Sequence, residues 1–371
     1  MLAGKNFLII GARAGGYGAA IAKEALKAGA NVFGTTLNPD DPREKLFFKE
    51  IGTTLIDVPL RYDVDKRDQV FDQLKRIQCW FKDNGVYSLD AIVHTVAGGF
   101  PRQPSVMKAV SDILKGRLTF SDLATAVKRN VYYVNAGSFD DTINALSGIT
   151  NENTQFVALS YRGNLPYFIS PTKKYLEKIA IIQARKGKQT LIAALPEAWT
   201  QSSQFFTGIE IAVLHNYLQD LSTASEISSD LKQPYTRMRE LLAQTKGLDK
   251  VVEELQQVMN NEWASVNAST ELSSLSGIVQ GLFTNLREKG IFHALRASVE
   301  IISDYVREAS AVRLVNELIG ESKYQPGDVR QIFYRDLLGN TPIGLAKPRE
   351  ETKHIAEALV KRKLFEVASY S

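Results

Sequence analysis

The chain has little of what would cross-link, metallate or anchor a fold. Cys79 is the single cysteine in 371 residues, which excludes an internal disulfide and fits a reducing compartment. The four histidines, His94, His215, His293 and His354, show no ligand spacing and no cysteine cluster accompanies them, so no metal site is expected. No apolar run approaches the roughly 20 residues of a membrane-spanning helix. Neither sign of charge dominates, because 45 basic residues face 41 acidic ones for a net charge of +4. That balance argues against nucleic acid as a partner and leaves room for a basic cleft that holds phosphate-bearing ligands. Repeats and low-complexity tracts are also missing. The first strand pattern begins within a few residues of Met1, leaving no space for a signal or transit peptide, and a cytoplasmic protein is expected.

What the chain does have is alternation of strand and helix patterns. Short apolar segments at Asn6–Ile10, Asn31–Thr35, Thr53–Asp57, Ala91–Thr95, Gln155–Leu159 and Gln189–Ala194 are separated by helical stretches or long crossovers. This predicts an α/β fold, a Rossmann-type doubly wound parallel sheet with a large helical C-terminal elaboration. After Gln204 strand signals vanish and helical spacing takes over, as in Leu241, Leu248, Val251, Val252, Leu255, Val258 and Met259. That stripe reads as core packing rather than a membrane or coiled-coil face. Residues 230–234 read as a connecting turn. The expected division is a dinucleotide-binding core over 1–203, a helical substrate-side region over 204–320, and a tail over 321–371 ending in a polar helix.

The chemistry-bearing feature at the start is Asn6-Phe7-Leu8-Ile9-Ile10-Gly11-Ala12-Arg13-Ala14-Gly15-Gly16-Tyr17-Gly18, an apolar strand running into a glycine-rich turn and a helix. Glycines suit such a turn because side chains would block a pyrophosphate from backbone N–H groups at the helix's positive end. Alone, the pattern also fits a strand-turn-helix with no cofactor. The second strand at Asn31–Thr35 supplies the spacing of a βαβ unit.

Four patterns together resemble the short-chain dehydrogenase/reductase superfamily, and within it the divergent enoyl-[acyl-carrier-protein] and trans-2-enoyl-CoA reductases. The turn Gly11-x4-Gly16-x-Gly18 is similar to the superfamily's glycine turn with one residue added, and Tyr17 within it matches the divergent branch. Tyr62-Asp63-Val64 follows the third strand. The resemblance implies that Asp63 and the Val64 amide hold an adenine ring, while the residues alone read equally as a helix cap. The segment Asp90 to Gly99 resembles the family's fourth strand, ending in His94-Thr95-Val96-Ala97-Gly98, where Thr95, Ala97 and Gly98 would lie against the nicotinamide ribose. His94, inside an apolar strand, reads as a packed core histidine ahead of a catalytic base. The fourth pattern, Leu159-Ser160-Tyr161 through Tyr167 to Lys173-Lys174-Tyr175-Leu176-Glu177, resembles the family's catalytic segment. The six-residue gap from Tyr167 selects Lys174, whereas the Leu176-Glu177 pair aligns Lys173. Pro196 and Thr200 fall where the family places a proline and a threonine near the carboxamide and pyrophosphate.

The resemblance implies reduction of the C=C bond of an enoyl thioester carried by CoA or an acyl carrier protein, by hydride from a nicotinamide cofactor. Tyr167, with Tyr161 as second choice, would stabilise the enolate oxygen. Lys174, with Lys173 as second choice, would anchor the cofactor ribose. NADPH is preferred over NADH, because Thr35-Thr36-Leu37-Asn38 carries no ribose-binding carboxylate and Arg13 or Arg43 suits a 2′-phosphate. Thr36 would border that site. A ketoreductase and a cofactor-binding subunit with a decayed catalytic pair are the competing readings, and a homo-oligomer is expected.

Overall fold

The structure is a computed structural model, and it describes residues 2–100, 105–106, 109, 120–161, 170–195, 232–246, 291–319 and 329–333. Strand β1 (Asn6–Ile10) leads into helix α1 (Tyr17–Lys27), followed by β2 (Asn31–Thr35), α2 (Pro42–Ile51), a short β3 (Thr54–Leu55) and α3 (Arg67–Asp83). Then come β4 (Ala91–His94), α4 (Thr125–Tyr132), a π turn (Tyr133–Gly137) and α5 (Ser138–Ala145). The second half contributes β5 (Gln155–Tyr161), α6 (Ser170–Arg185), β6 (Gln189–Leu195), α7 (Lys232–Ala243), α8 (Ile291–Ile319) and β7 (Val329–Phe333). Seven parallel strands pair in the order β3-β2-β1-β4-β5-β6-β7. The order reverses between β1 and β4, so the connections leave in opposite directions and open a crevice at the strand C-termini.

Both faces of β1 are buried because consecutive side chains alternate across a strand. Leu8 and Ile10 join one apolar layer with Phe33, Leu74, Phe81, Phe139, Phe156 and Leu176, which lies under α3, α5 and α6. Phe7 and Ile9 join the other with Ile21, Val32, Phe48, Leu191 and Leu314, under α1, α2 and α8. Helix α2 starts at Asp41, whose carboxylate accepts from the Arg43 amide at 2.9 Å, and stops at Gly52 with φ +74°.

The six expected strands are all present, the third shortened to two residues. The seventh was not foreseen: β7 pairs with β6 from Thr190↔Val329 to Ala194↔Phe333. The segment 329–333 was expected in a tail, and α8 among helices over the substrate side. Instead Ala311, Leu314, Val315 and Leu318 of α8 pack in the α1 layer. The sheet thus draws its last strand and a covering helix from beyond residue 203. Residues 232–234, read as a turn, begin α7, since proline is tolerated in a first helical turn. The stripe from Leu248 onward and the final polar helix lie outside the described residues.

Gly34 in β2 is where α2 meets the sheet most closely. A Cβ there would lie 2.4 Å from Phe48 Cε1 and 3.0 Å from Ala12 Cβ, and Phe48 has no exposed face onto which to swing. Gly34→Ala is therefore expected to lower unfolding free energy by about 1–3 kcal/mol, the usual cost of overpacking, measured as a reduced urea midpoint at unchanged slope.

Candidate active site at the β1 and β4 crevice

The glycine turn is held from both neighbouring strands. Gly11 (φ +88°) receives its amide partner from β2, donating to Thr35 Oγ1 at 3.2 Å. From β4, the Thr95 hydroxyl is shared between the carbonyls of Ile10 at 2.8 Å and Gly11 at 3.0 Å. Helix α1 then begins after Gly16, which makes no side-chain cap hydrogen bond, and the positive end of a helix dipole attracts anions. A Cβ at Gly15 would meet nothing within 4 Å, and one at Gly16 would meet only the Arg13 carbonyl at 3.2 Å. An uncapped helix N-terminus under an open glycine cradle fits a diphosphate. Tyr17 packs half-buried beside the α1 layer.

Gly18 serves a different purpose from the one a phosphate loop suggests. A Cβ there would stand 2.8 Å from Gly11 O, 2.9 Å from Thr95 Oγ1 and 3.0 Å from Ala12 Cα. A side chain at Gly18 would collide with the protein, so this glycine lets α1 close onto β1 and β4.

On the β3 side, Thr36 is buried and its carbonyl accepts from Leu60 N at 3.1 Å. Asp63 acts as a cap, accepting from Asp65 N at 3.0 Å, and the Val64 amide donates to Asn130 Oδ1 at 3.0 Å. On the β4 side the chain runs through an exposed Ala97 to Gly98 (φ +128°) and Gly99 (φ +91°). Asn135 holds Gly98 at both ends, donating to its carbonyl at 2.7 Å and accepting from its amide at 3.2 Å. Asn130 Nδ2 donates to Gly99 O at 2.7 Å. Both asparagines escaped the sequence reading. Their signal was a polar amide on either side of Val131-Tyr132-Tyr133-Val134, where an α-helix would turn residues five apart about 140° away from each other. The π turn's wider winding brings them back towards the same loop.

A buried carboxylate anchors that turn. Asp141, fully buried, accepts from Arg67 at 2.8 and 2.5 Å and from the Tyr133 hydroxyl at 2.8 Å. Its charge and hydrogen bond raise the Arg67 pKa, and burial with the same carboxylate raises that of Tyr133. Tyr62 is likewise raised by burial and shares a 2.6 Å hydrogen bond with Thr142.

His94 is completely buried, its Nε2 3.0 Å from Ser138 Oγ. The Ser138 hydroxyl spends its proton on Val134 O at 2.7 Å, so it must accept from Nε2–H, and Nδ1 is left as a bare lone pair. Burial, with the Lys173 charge behind it, pushes the imidazole pKa down to about 3. A neutral, packed histidine matches the reading favoured from sequence.

Lys173 and Lys174 point in different directions from α6. Lys174 is exposed. Lys173 is 5% exposed and reaches the mouth of β4, donating to Val96 O at 3.0 Å, and burial lowers its pKa to about 8. One helical turn on, Glu177 takes the Ser160 hydroxyl and so ties α6 to the end of β5. The backbone of Tyr161 closes β5 opposite Leu195. Tyr167, Pro196 and Thr200 lie outside the described residues.

Arg13 projects exposed from the glycine turn, with no carboxylate partner among the described residues. Arg43 is engaged by Asp41 through contacts of 3.1 and 2.7 Å, and that guanidinium holds the Asp41 carboxyl down at about 2. The two arginines proposed for a 2′-phosphate are therefore not equivalent.

The family model for enoyl-acyl carrier protein reductase FabMG matches residues 74–272, over half of the chain. The chain belongs to that family. This FabMG-family protein is an NAD(P)H-dependent reductase, and its reaction class is enoyl reduction. Among solved structures it is similar to the apo structure of FabMG, described as a novel type of enoyl-acyl carrier protein reductase. The TM-score is 0.62 at 18% identity, covering 93% of each chain. It is also similar to the enoyl-[acyl-carrier-protein] reductase (NADH) from Aquifex aeolicus VF5, with TM-score 0.44 and 22% identity over 58% of this chain and 82% of that one. No curated protein matches the chain. Among the described residues, no helix of this FabMG-family reductase is long and apolar enough to cross a membrane.

The buried imidazole makes a pH prediction. Folded His94 titrates near 3 and an unfolded histidine near 6.5, so between these values the unfolded chain binds the extra proton and stability falls as pH drops. In His94→Leu the Ser138 hydroxyl keeps its Val134 partner. The wild-type stability relative to this variant should be constant above pH 6.5 and decline steadily below it, read from urea midpoints at each pH.

Proposed function

We propose that this reductase transfers hydride from NAD(P)H to the β-carbon of an enoyl thioester carried by acyl carrier protein or CoA, with Lys173 as the lysine of the site. The observation that carries this reading is the buried Lys173 ammonium at Val96 O, one residue beyond the Thr95 that pins the glycine turn where the sheet order reverses. Lys174, preferred from tyrosine spacing, is on the solvent side of α6. The nicotinamide cofactor, when bound, supplies the hydride. Gly11, Gly15 and Gly16 with the start of α1 would cradle its diphosphate, Thr36, Asp63 and Val64 would border its adenosine, and Ala97 and Gly98 its nicotinamide ribose. Pro196 and Thr200 are assigned to the carboxamide side on family resemblance alone.

Hydride arrival at the β-carbon moves charge onto the thioester oxygen. Tyr167, ahead of Tyr161, is proposed to donate a hydrogen bond to that oxygen, a contribution of about 3–4 kcal/mol when such a donor is oriented in advance. Lys173 would bond the ribose hydroxyls and favour the developing anion through its charge. A pKa near 8 keeps it a cation at neutral pH and marks the cost of holding it without a carboxylate. Arg13, free where Arg43 is occupied, is the residue proposed to meet a 2′-phosphate, which favours NADPH.

Two measurements check these roles. With a crotonyl thioester, Tyr167→Phe should cut kcat about 100-fold with cofactor affinity close to wild type, whereas Lys173→Ala should damage both and Lys174→Ala neither. Severe loss in Lys174→Ala with a normal Lys173→Ala would reverse the lysine assignment. Faster turnover of an acetoacetyl than a crotonyl thioester would identify a ketoreductase, and cofactor binding without turnover of either a decayed subunit. For the cofactor, Arg13→Ala should raise KM for NADPH about tenfold and leave that for NADH unchanged; equal losses with both would place Arg13 on the shared diphosphate.

A further inference from the structure

Asn130 makes two hydrogen bonds to backbone groups of two separate segments. Its Oδ1 accepts from the Val64 amide at 3.0 Å, on the turn between β3 and α3, and its Nδ2 donates to the Gly99 carbonyl at 2.7 Å, on the loop after β4. A primary amide is the side chain that can accept on one side and donate on the other in fixed geometry. Both contacts are to main chain, so the bridge depends on residue 130 alone. The β4 loop is also pressed onto the helix that carries Asn130. A Cβ at Gly99 would stand 2.9 Å from Val134 Cβ and 3.1 Å from Val131 Cα, and Gly99 holds φ +91°, which side-chain-bearing residues rarely adopt.

We propose that Asn130 is a positioning residue of the cofactor cleft, setting the separation of its adenosine-side turn and its nicotinamide-side loop through one side-chain amide. This rests on the function proposed above, which puts adenosine at Asp63 and Val64 and the nicotinamide ribose at Ala97 and Gly98. Asn135 fixes the shape of the β4 loop locally, at Gly98. Asn130 adds a constraint of a different kind, because it joins that loop to the turn between β3 and α3. The bridge matters to a ligand that touches both walls and little to one that touches a single wall. It also spends the Val64 amide, so adenine recognition at this turn falls to the remaining groups or requires Asn130 to exchange its acceptor for a ring nitrogen.

The experiment uses the full chain with NADPH, NADH, 5′-AMP and a crotonyl thioester as probes. Asn130→Asp retains the acceptor for Val64, loses the donor, and sets a carboxylate against the Gly99 carbonyl. Asn130→Ala removes both contacts without adding charge and favours helix, so it carries the test if the aspartate variant folds poorly. In both variants KM for the nicotinamide cofactor should rise at least tenfold, with KM for the crotonyl thioester within twofold of wild type. The Kd of 5′-AMP for Asn130→Asp should also stay within twofold. Wild-type cofactor KM in both variants overturns the inference, as does equal weakening of 5′-AMP and the whole dinucleotide, which would mean damage to one wall only. If instead the wild-type chain takes up neither NADH nor NADPH, the cleft assignment itself fails, and this inference falls with it.

Discussion

The geometry of the site depends on how the end of β4 is fastened to the end of β1. The Thr95 hydroxyl sits between the Ile10 and Gly11 carbonyls, just where the strand order reverses and the two chains part towards opposite faces of the sheet. Gly18 lets α1 settle against the same hydroxyl. Strand end, glycine turn and helix N-terminus therefore share one contact point. A larger residue at Gly18 would push α1 away from the Thr95 hydroxyl, because a Cβ there would stand 2.9 Å from that oxygen.

Polar groups buried around this point are costly and are arranged so that few of them are charged without compensation. Asp141 keeps its charge because Arg67 and Tyr133 surround it with donors. His94 cannot keep one, and stays neutral. Lys173 is the exception: burial disfavours its charge, and its described hydrogen bond is to a neutral carbonyl at Val96. A cation held in this way is stabilised by any electron-rich group that comes beside it. The cost is borne by the sheet core on both faces, whose apolar layers close around β1, β4 and β5.

Much of the architecture was legible because parallel strands buried on both faces are short continuous apolar runs, and six of the seven were visible, five of them at nearly their final limits. The seventh, Val-Arg-Gln-Ile-Phe at 329–333, carries two polar residues in five and lies far along the chain from its neighbour β6, so no local pattern marks it as part of the sheet. Its pairing joins it to β6, more than 130 residues earlier, on the far edge of the sheet. The glycine turn was legible for the same reason that it is useful: steric demands of close approach are written directly into residue type. Which glycine answers which demand was not, since Gly16 under open space and Gly18 against Thr95 look alike in a string of letters.

The catalytic segment shows where sequence ends. Residue spacing and family resemblance narrowed the lysine to two neighbours, and counting from Tyr167 favoured Lys174. Adjacent residues on a helix differ by about 100° in direction, so the axial rotation of α6 against β4 and β5 buries Lys173 and leaves Lys174 in water. That rotation is set by Leu176, Ile179 and Ala180 packing into the core, a three-dimensional fit that no spacing rule contains. Asn130 and Asn135 were hidden for the same reason, because a π turn brings together residues that an α-helix would separate. By itself the sequence determined the order of strands and helices, the glycine-lined entrance and the candidate chemical groups. Only tertiary packing decided which of those groups share a cleft, because direction in space depends on contacts between segments distant in the chain.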